Sequence, residues 1–445
     1  MSTNPAPLRP EFAGGAQPLN HGRRVVTLVS AARPEVLLAQ LGLVLIAAHV
    51  IDDNFVQPQP GTSAGDHLVS GLVPTIALLL FATFYGRLRT GLRATLAVVV
   101  GLFGVTSGVS EAVYYAVKTG ASGDDYSGFL AIPAGLLLAG VGVTALWSSR
   151  RRDDRLLRRY GRRLAIAVGS LVIAYVVVFP FFLSYVFTHL ARTGVPVARL
   201  GAKYENVAFQ TKDGLTLKGW YVPSRNGAAV IVAPGRNGTQ RHARMLLRHG
   251  YGVLVFDRRG EGDSDGDPNA FGWAASRDLA AAQAFLAARP DVDPERIGGL
   301  GLSVGGETLL QAAAEDKGFR AVVSDGAGAR SLREDFARSD RDKWGELPTS
   351  LVITAGTALF SNQLPPPNLK GLVARIAPRS VFFIYAGHGQ PNEINLTQKY
   401  YERAGEPKAL WRVPGAGHTH GLSVRPQEYE RRVVAFFDRE LAPNP

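Results

Sequence analysis

The stretch GLSVGGE, residues 301 to 307, sets Ser303 between Gly301 and Gly305. A serine in a Gly-x-Ser-x-Gly turn acts as a nucleophile when a strand leads into it and a helix leads away. The turn is then so sharp that the neighbouring residues must be nearly free of side chain, and the hydroxyl is lifted off the sheet edge. Here RIGGLGLS reads as the strand and GETLLQAAAE as the helix. The backbone N–H of Val304 would open that helix and point at a developing oxyanion. The competing reading is a small residue in a glycine-rich turn.

A serine nucleophile needs a base, and the base needs an acid to orient it. In strand-turn-helix sites of this kind the acid precedes the histidine in the chain. PGAGHTH supplies His418 just before a final amphipathic helix, with His420 as a nearby competitor. Its role would be to take the serine proton and return it to the leaving group. The bland alternative is a pair of polar loop histidines. After the strand RSVFFIYAG the chain reads HGQPNEINLTQKYYE, which has no aspartate, so Glu393 is the first carboxylate and the expected acid. Asp325, in VVSDGAG, is the alternative acid, or else only a turn residue or cap. The second oxyanion donor is expected from the loop after GAAVIVAPG, as the backbone N–H of Arg236; alternatively the Arg236 side chain binds an anionic substrate group.

These residues need a scaffold. From about residue 204, β-rich runs alternate with helical patterns, which predicts a mostly parallel sheet flanked by helices, an α/β fold with loops at the strand ends. NVAFQT and LTLKGWYVP flank Lys212-Asp213-Gly214 and read as a hairpin. The segment 326–379 is long for a connection and is expected to hold structure of its own. It contains PTSLVITAGTALFSNQLPPP, an apolar run expected either to line an acyl site or touch a membrane, or simply to be a buried helix.

Together, DGLTLKGWYVP, FDRRGEGDSDG, GLGLSVGGE and VPGAGHTHGL resemble the α/β-hydrolase superfamily over about 204 to 440, most closely its serine aminopeptidase-like and dienelactone hydrolase-like branch. The resemblance implies an α/β-hydrolase domain over 204–445, with a cap at about 326–379. It further implies a Ser–acid–His hydrolase without metal or organic cofactor, with Ser303 as nucleophile and His418 as base. Three positions depart from the family's usual pattern. The oxyanion strand ends in Pro234-Gly235 rather than His-Gly, Glu261 stands where histidine is common, and Glu393 stands where aspartate is typical.

The first 190 residues are of another kind. Five apolar stretches, about 35–51, 68–86, 94–117, 127–148 and 164–189, read as transmembrane helices, since about 20 apolar residues cross a bilayer. The first is short and carries Gln40 and His49; with no small-residue cleavage site after it, it reads as a retained helix. Residues 1–33 form a tail and 191–203 a linker. The tail carries Arg9, Arg23, Arg24 and Arg33; the second loop Arg87, Arg89 and Arg93; the fourth Arg150, Arg151, Arg152, Arg155, Arg158, Arg159, Arg162 and Arg163. Loops 52–67 and 118–126 together hold only Lys118. Basic loops stay cytoplasmic. The expected topology is a multi-pass protein of the cytoplasmic membrane with its N-terminus inside and its C-terminal half outside.

That distribution also accounts for much of the net charge of +12, so no nucleic-acid partner is expected. The chain has no cysteine, which excludes disulfides, thiolate zinc sites and cysteine nucleophiles. The expected partners are a small-molecule or lipid acyl substrate and the membrane lipids. The leading expectation is a membrane-anchored serine hydrolase cleaving an ester, thioester or amide, esterase- or lipase-like slightly ahead of peptidase-like. An acyltransferase or a peptidase on the same residues is the alternative. A different class is a membrane binder or permease with a degenerate hydrolase domain, using His49 and Glu111 at the outer ends of two spans; the bland reading of those two is an interfacial pair. A third is anchoring alone. Gly104 to Gly108, GVTSG, reads as a small-xxx-small packing face.

Overall fold

The computed structural model describes residues 33–113, 123, 125–148, 156–189, 198–233, 235 and 239–443. Among them are five helical segments long and apolar enough to cross a membrane: Pro34–Val56, Ala64–Arg87, Thr90–Gly108, Asp125–Ser148 and Tyr160–Thr188. The first is longer than the sequence suggested, because a π turn, Asp52–Val56, continues the helix Pro34–Ile51. Its Gln40 is satisfied inside the bundle, donating from Nε2 to the carbonyl of Ala82 at 3.0 Å. The third and fourth spans touch through glycine. A Cβ at Gly101 would lie 2.5 Å from the Gly135 carbonyl oxygen, and the Gly108 side meets the Gly128 backbone as closely. Gly104 instead faces Ile46 of the first span. The GVTSG segment is therefore a packing face, where small residues let the helix backbones approach closely.

The C-terminal half is built on one eight-stranded sheet. Its strands are β1 (Glu205–Gln210), β2 (Thr216–Val222), β3 (Ala229–Ala233), β4 (Gly252–Phe256), β5 (Ile297–Leu302), β6 (Ala321–Asp325), β7 (Ser380–Ala386) and β8 (Lys408–Val413). They lie in the order β1-β2-β4-β3-β5-β6-β7-β8. β1 and β2 form the expected hairpin, β2 pairs antiparallel with β4, and the remaining pairs are parallel. The parallel strands are covered on both faces, so β3, β5, β6 and β7 are buried along their whole length and read as continuous apolar runs. Helices Gln240–Arg248 and Pro426–Glu440 cover one face, and Ala275–Ala287, Val304–Glu315 and Pro391–Arg403 the other.

The 326–379 segment has structure of its own: helix Leu332–Ala337, the cap helix Lys343–Ser361 and a short turn at Leu369–Leu372. The cap helix crosses the end of the fifth span, where a Cβ at Gly356 would overlap Ser184 Oγ. The apolar run expected to line an acyl site or touch a membrane thus turns Phe360 toward the spans, onto Phe103, Phe181 and Tyr185. Three further contacts tie the same end of the bundle to the sheet domain. Gly266 N–H donates to Pro60 O at 2.8 Å, Ala270 N–H to Phe187 O at 2.9 Å, and the Asn362 side-chain amide to Asp66 O. The loop 52–67 and the end of the fifth span therefore lie on the sheet-domain side.

Candidate active site

β5 ends at Leu302 and helix Val304–Glu315 begins one residue later. Ser303 makes the whole turn, at φ 53° and ψ −123°, a conformation in which an L side chain is strained. The geometry demands small neighbours: a Cβ at Gly301 would collide with the backbone of Gly305, and one at Gly306 would lie 2.7 Å from Ser324 Oγ. The turn is held from β6, whose Asp325 carbonyl accepts the Ser303 N–H at 2.8 Å.

His418 lies in the loop after β8 and reaches back over this turn. Its Nε2 is 2.8 Å from Ser303 Oγ, and its Nδ1 is 2.7 Å from Glu393 Oε2. His420 is exposed and begins a separate short helix, Gly421–Val424. Of the two histidines only His418 meets Ser303.

Glu393 owes its place to helix capping. It is the third residue of helix Pro391–Arg403, and Gln390 with Glu393 forms a capping box at the helix start. Glu393 Oε1 accepts the Ala386 N–H at 2.8 Å, which anchors it to the end of β7. It is 1% exposed, in space that Gly389 leaves open, since a Cβ there would lie 2.5 Å from Oε2. The hydrogen bonds from Gln390 N–H, Ala386 N–H and His418 converge on one carboxylate. The longer glutamate side chain spans the distance from helix to histidine.

Asp325, the alternative acid, is not hydrogen-bonded to His418. It accepts from Tyr429 Oη at 2.8 Å and is 1% exposed. Burial pushes its carboxyl up to about 7, with the Glu393 charge adding to the shift and the Tyr429 hydrogen bond opposing it. The hydrogen bond that His418 donates to Glu393 raises the imidazole above its usual range, against its partial burial.

Val304 opens the helix, where first-turn N–H groups have no intrahelical acceptor. Arg236 lies outside the described residues. Its neighbour Gly235 approaches the turn closely: a Cβ there would lie 2.5 Å from Leu302 O and 3.2 Å from Ser303 Cβ.

A cavity of about 450 Å³ opens over Ser303 and His418. One wall is Gly235, Phe271, Trp273 and Glu307; the other, from the cap segment, is Arg330, Asp335, Arg338, Glu346, Ser350, Ile353, Thr354 and Thr357. The cap thus lines the site, but with a largely polar face. Arg338 pairs with Asp340 at 2.7 Å and with Glu346, and Glu307 accepts the Gly328 N–H at 2.9 Å. None of these was legible in the sequence, because charged residues of one cap segment carry no local pattern that says which of them converge. Among the described residues no cluster of His, Asp and Glu is arranged to hold a metal ion.

Of His49 and Glu111, the former has Nδ1 3.1 Å from Ser127 Oγ of the fourth span. Glu111 falls in a π turn, Val109–Val113, and its side chain lies outside the described residues.

Comparison with known proteins places this geometry in a family. The family described as X-Pro dipeptidyl-peptidase (S15 family) matches residues 203–411, which include Ser303 and Glu393 and stop short of His418. Protein Rv2307c of Mycobacterium tuberculosis is 31% identical over 220 residues, covering 48% of this chain and 72% of its own. The polyketide transferase grgF of a Penicillium species is 36% identical over 286 residues, covering 53% of this chain and 97% of its own. Among solved structures, the esterase Pf2001 of Pyrococcus furiosus is 25% identical with a TM-score of 0.46, covering 57% of this chain and 100% of that one. The family match over 203–411, which carries the Ser303 turn, and relatives more than 30% identical along most of their own length make this chain a member of the α/β-hydrolase superfamily and an enzyme of its serine-hydrolase type.

Proposed function

We propose that the chain is a membrane-anchored serine hydrolase that cleaves an ester, thioester or amide through an acyl-enzyme on Ser303. One observation carries the reading: a single imidazole lies within hydrogen-bond distance of both Ser303 Oγ and the Glu393 carboxylate, at 2.8 and 2.7 Å. In the forward step Ser303 Oγ attacks the substrate carbonyl and its proton passes to His418 Nε2. Glu393 holds Nδ1–H and stabilises the imidazolium. The carbonyl oxygen becomes an oxyanion held by the N–H of Val304 and, from the loop beside Gly235, that of Arg236. Collapse expels the alcohol, thiol or amine, which takes the proton from His418. Water then repeats the sequence on the acyl-enzyme and releases the acid. No cofactor takes part.

The cap supports a substrate with a polar part. Its Glu346, Ser350, Thr354 and Thr357 face the cavity, whereas its Phe360 is turned to the spans. Likeness to a polyketide transferase favours one variant, in which an acceptor alcohol rather than water takes the acyl group. The ratio of acid to transferred product, with and without added alcohol, separates the two.

The N-terminal tail and the loops at 87–93 and 150–163 are basic where 52–67 and 118–126 are not, which supports a cytoplasmic N-terminus and an extracytoplasmic site in the cytoplasmic membrane. The test is labelling by a membrane-impermeant fluorophosphonate in intact and opened cells. The expected result is labelling of intact cells that is lost in Ser303→Ala. Labelling only after opening reverses the topology and keeps the enzyme. No labelling in either preparation overturns the activity and returns attention to His49 and Glu111.

A further inference from the structure

A second cavity, of about 310 Å³, lies between the first, second, third and fifth spans and the end of the cap helix. That volume is at the lower end of ligand pockets, roughly 300–1,000 Å³. Its floor is Ile46, Val100 and Phe103, and its lips are Val73 and Val177, both about half exposed. At the end nearest the sheet domain the lining turns polar: His49, Asp53, Asn54 and His189. We propose that this groove holds one acyl chain of a bilayer lipid, with the polar end of that lipid at His49, Asp53, Asn54 and His189.

Three observations carry this. The groove is cut into helices of membrane-spanning length and composition, so under the membrane reading proposed above its lips face hydrocarbon rather than water. Its polarity runs in one direction, from apolar floor to polar end, which matches an amphiphile rather than a detached hydrocarbon. The fifth span also stands away from the bundle before it closes the groove. Leu164, Val168, Leu171 and Val172 are more than half exposed, and the first packed turns come at Pro180 to Tyr185. A lipid chain therefore has lateral access between the second and fifth spans. The groove is separate from the chemistry at Ser303, but the two share a wall. Phe360 lines the groove and Thr357, one turn earlier on the cap helix, lines the Ser303 cavity.

The full chain is reconstituted in nanodiscs containing phosphatidylglycerol with a diazirine in its acyl chain, irradiated, and mapped by peptide mass spectrometry. Adducts are expected on Ile46, Val100 and Phe103, and are expected to be lost in Val100→Trp, which fills the floor. Adducts on the outward residues Leu72, Leu80 and Leu171 should be unaffected by that change. Adducts confined to the outward residues overturn the proposal. So does a floor without adducts that a second copy of the chain covers, seen as an intermolecular disulfide between Val73→Cys and Val177→Cys in the otherwise cysteine-free chain. The wild-type map decides the matter even if Val100→Trp fails to fold. Because no readout involves Ser303, the result stands whether or not the hydrolase reading does.

Discussion

Glu393 Oε2 lies 2.7 Å from His418 Nδ1, while Oε1 of the same carboxylate accepts the Ala386 N–H at 2.8 Å. One side chain therefore orients the base and joins helix Pro391–Arg403 to the end of β7. Glu393→Gln keeps the size but no longer compels Nδ1 to carry the proton. The expected loss in kcat is about 10³- to 10⁴-fold, the scale for an acid that sets the tautomer of a catalytic histidine. The pH profile gives an independent readout. The Glu393 hydrogen bond raises His418 above the ordinary imidazole range, and only the neutral base can accept the serine proton. Wild-type kcat/KM should fall as pH drops through that raised value. In Glu393→Gln the residual activity should hold to lower pH. An acid limb that stays in place would remove Glu393 from the role.

Asp325 is the second carboxylate of the site and behaves in the opposite way. Its folded-state value, about 7, exceeds the ordinary 3.8 because it is buried. An acid with a raised value binds a proton in the folded state that the unfolded state has already released. Stability therefore falls as pH rises from about 4 to 7, by at most about 4 kcal/mol for a shift of roughly three units. Asp325→Asn still offers an amide oxygen to Tyr429 and has no charge to bury. Thermal unfolding followed by tryptophan fluorescence should show the variant more stable than wild type at pH 8 and equal to it near pH 4. Turnover should survive the change, since Asp325 makes no hydrogen bond to His418. A variant without turnover would restore Asp325 as the acid.

What could be read from the sequence divides along physical lines. The strand, turn and helix around Ser303 were legible because glycine at 301 and 305, between an apolar run and a helical pattern, suits a tight strand-to-helix turn and little else. Glu393 was legible by position, as the first carboxylate after β7, but the capping box through Gln390 is the stronger signal and lay in the same residues, QPNE. The spans were visible from length and apolarity, though not the π turn that lengthens the first. The polar wall of the cavity was not legible. Arg330 and Arg338 lie before and after helix Leu332–Ala337 and Glu346 lies in the cap helix, and only tertiary folding sets them around Ser303. The two faces of the cap helix were hidden for a related reason: periodicity shows that a helix has an apolar stripe, not whether that stripe meets a core, a substrate or other spans.

Ser303 at φ 53° bears strain that its neighbours must over-determine. Ser303→Ala removes the hydroxyl and keeps the Cβ, so it should abolish turnover and leave stability near that of wild type. Ser303→Gly removes the Cβ as well, and with it the strain, which for such a residue is about 1–3 kcal/mol. The looser unfolded chain of a glycine variant offsets about 0.5–1 kcal/mol of that. Denaturant titration should place Ser303→Gly above Ser303→Ala in stability, with both inactive. The reverse order would mean that the turn is not strained.

The crossing of the cap helix over the fifth span rests on Gly356 and Ser184. A Cβ at Gly356 would overlap Ser184 Oγ and lie 2.9 Å from its Cβ, closer than packed carbons approach. Gly356→Ala should therefore force the two helices apart, at the overpacking cost of about 1–3 kcal/mol, despite alanine's better helix propensity. Because the same cap helix carries Ser350, Thr354 and Thr357 into the Ser303 cavity, the shift should raise KM more than it lowers kcat. Ser184→Gly alone removes the partner and should cost little beyond the glycine penalty. The double change restores the space, so its stability and KM should return toward those of Ser184→Gly. Residues in contact give non-additive cycles of about 0.5–3 kcal/mol. Additive effects of Gly356→Ala and Ser184→Gly would show that the cap and the fifth span do not meet at this point.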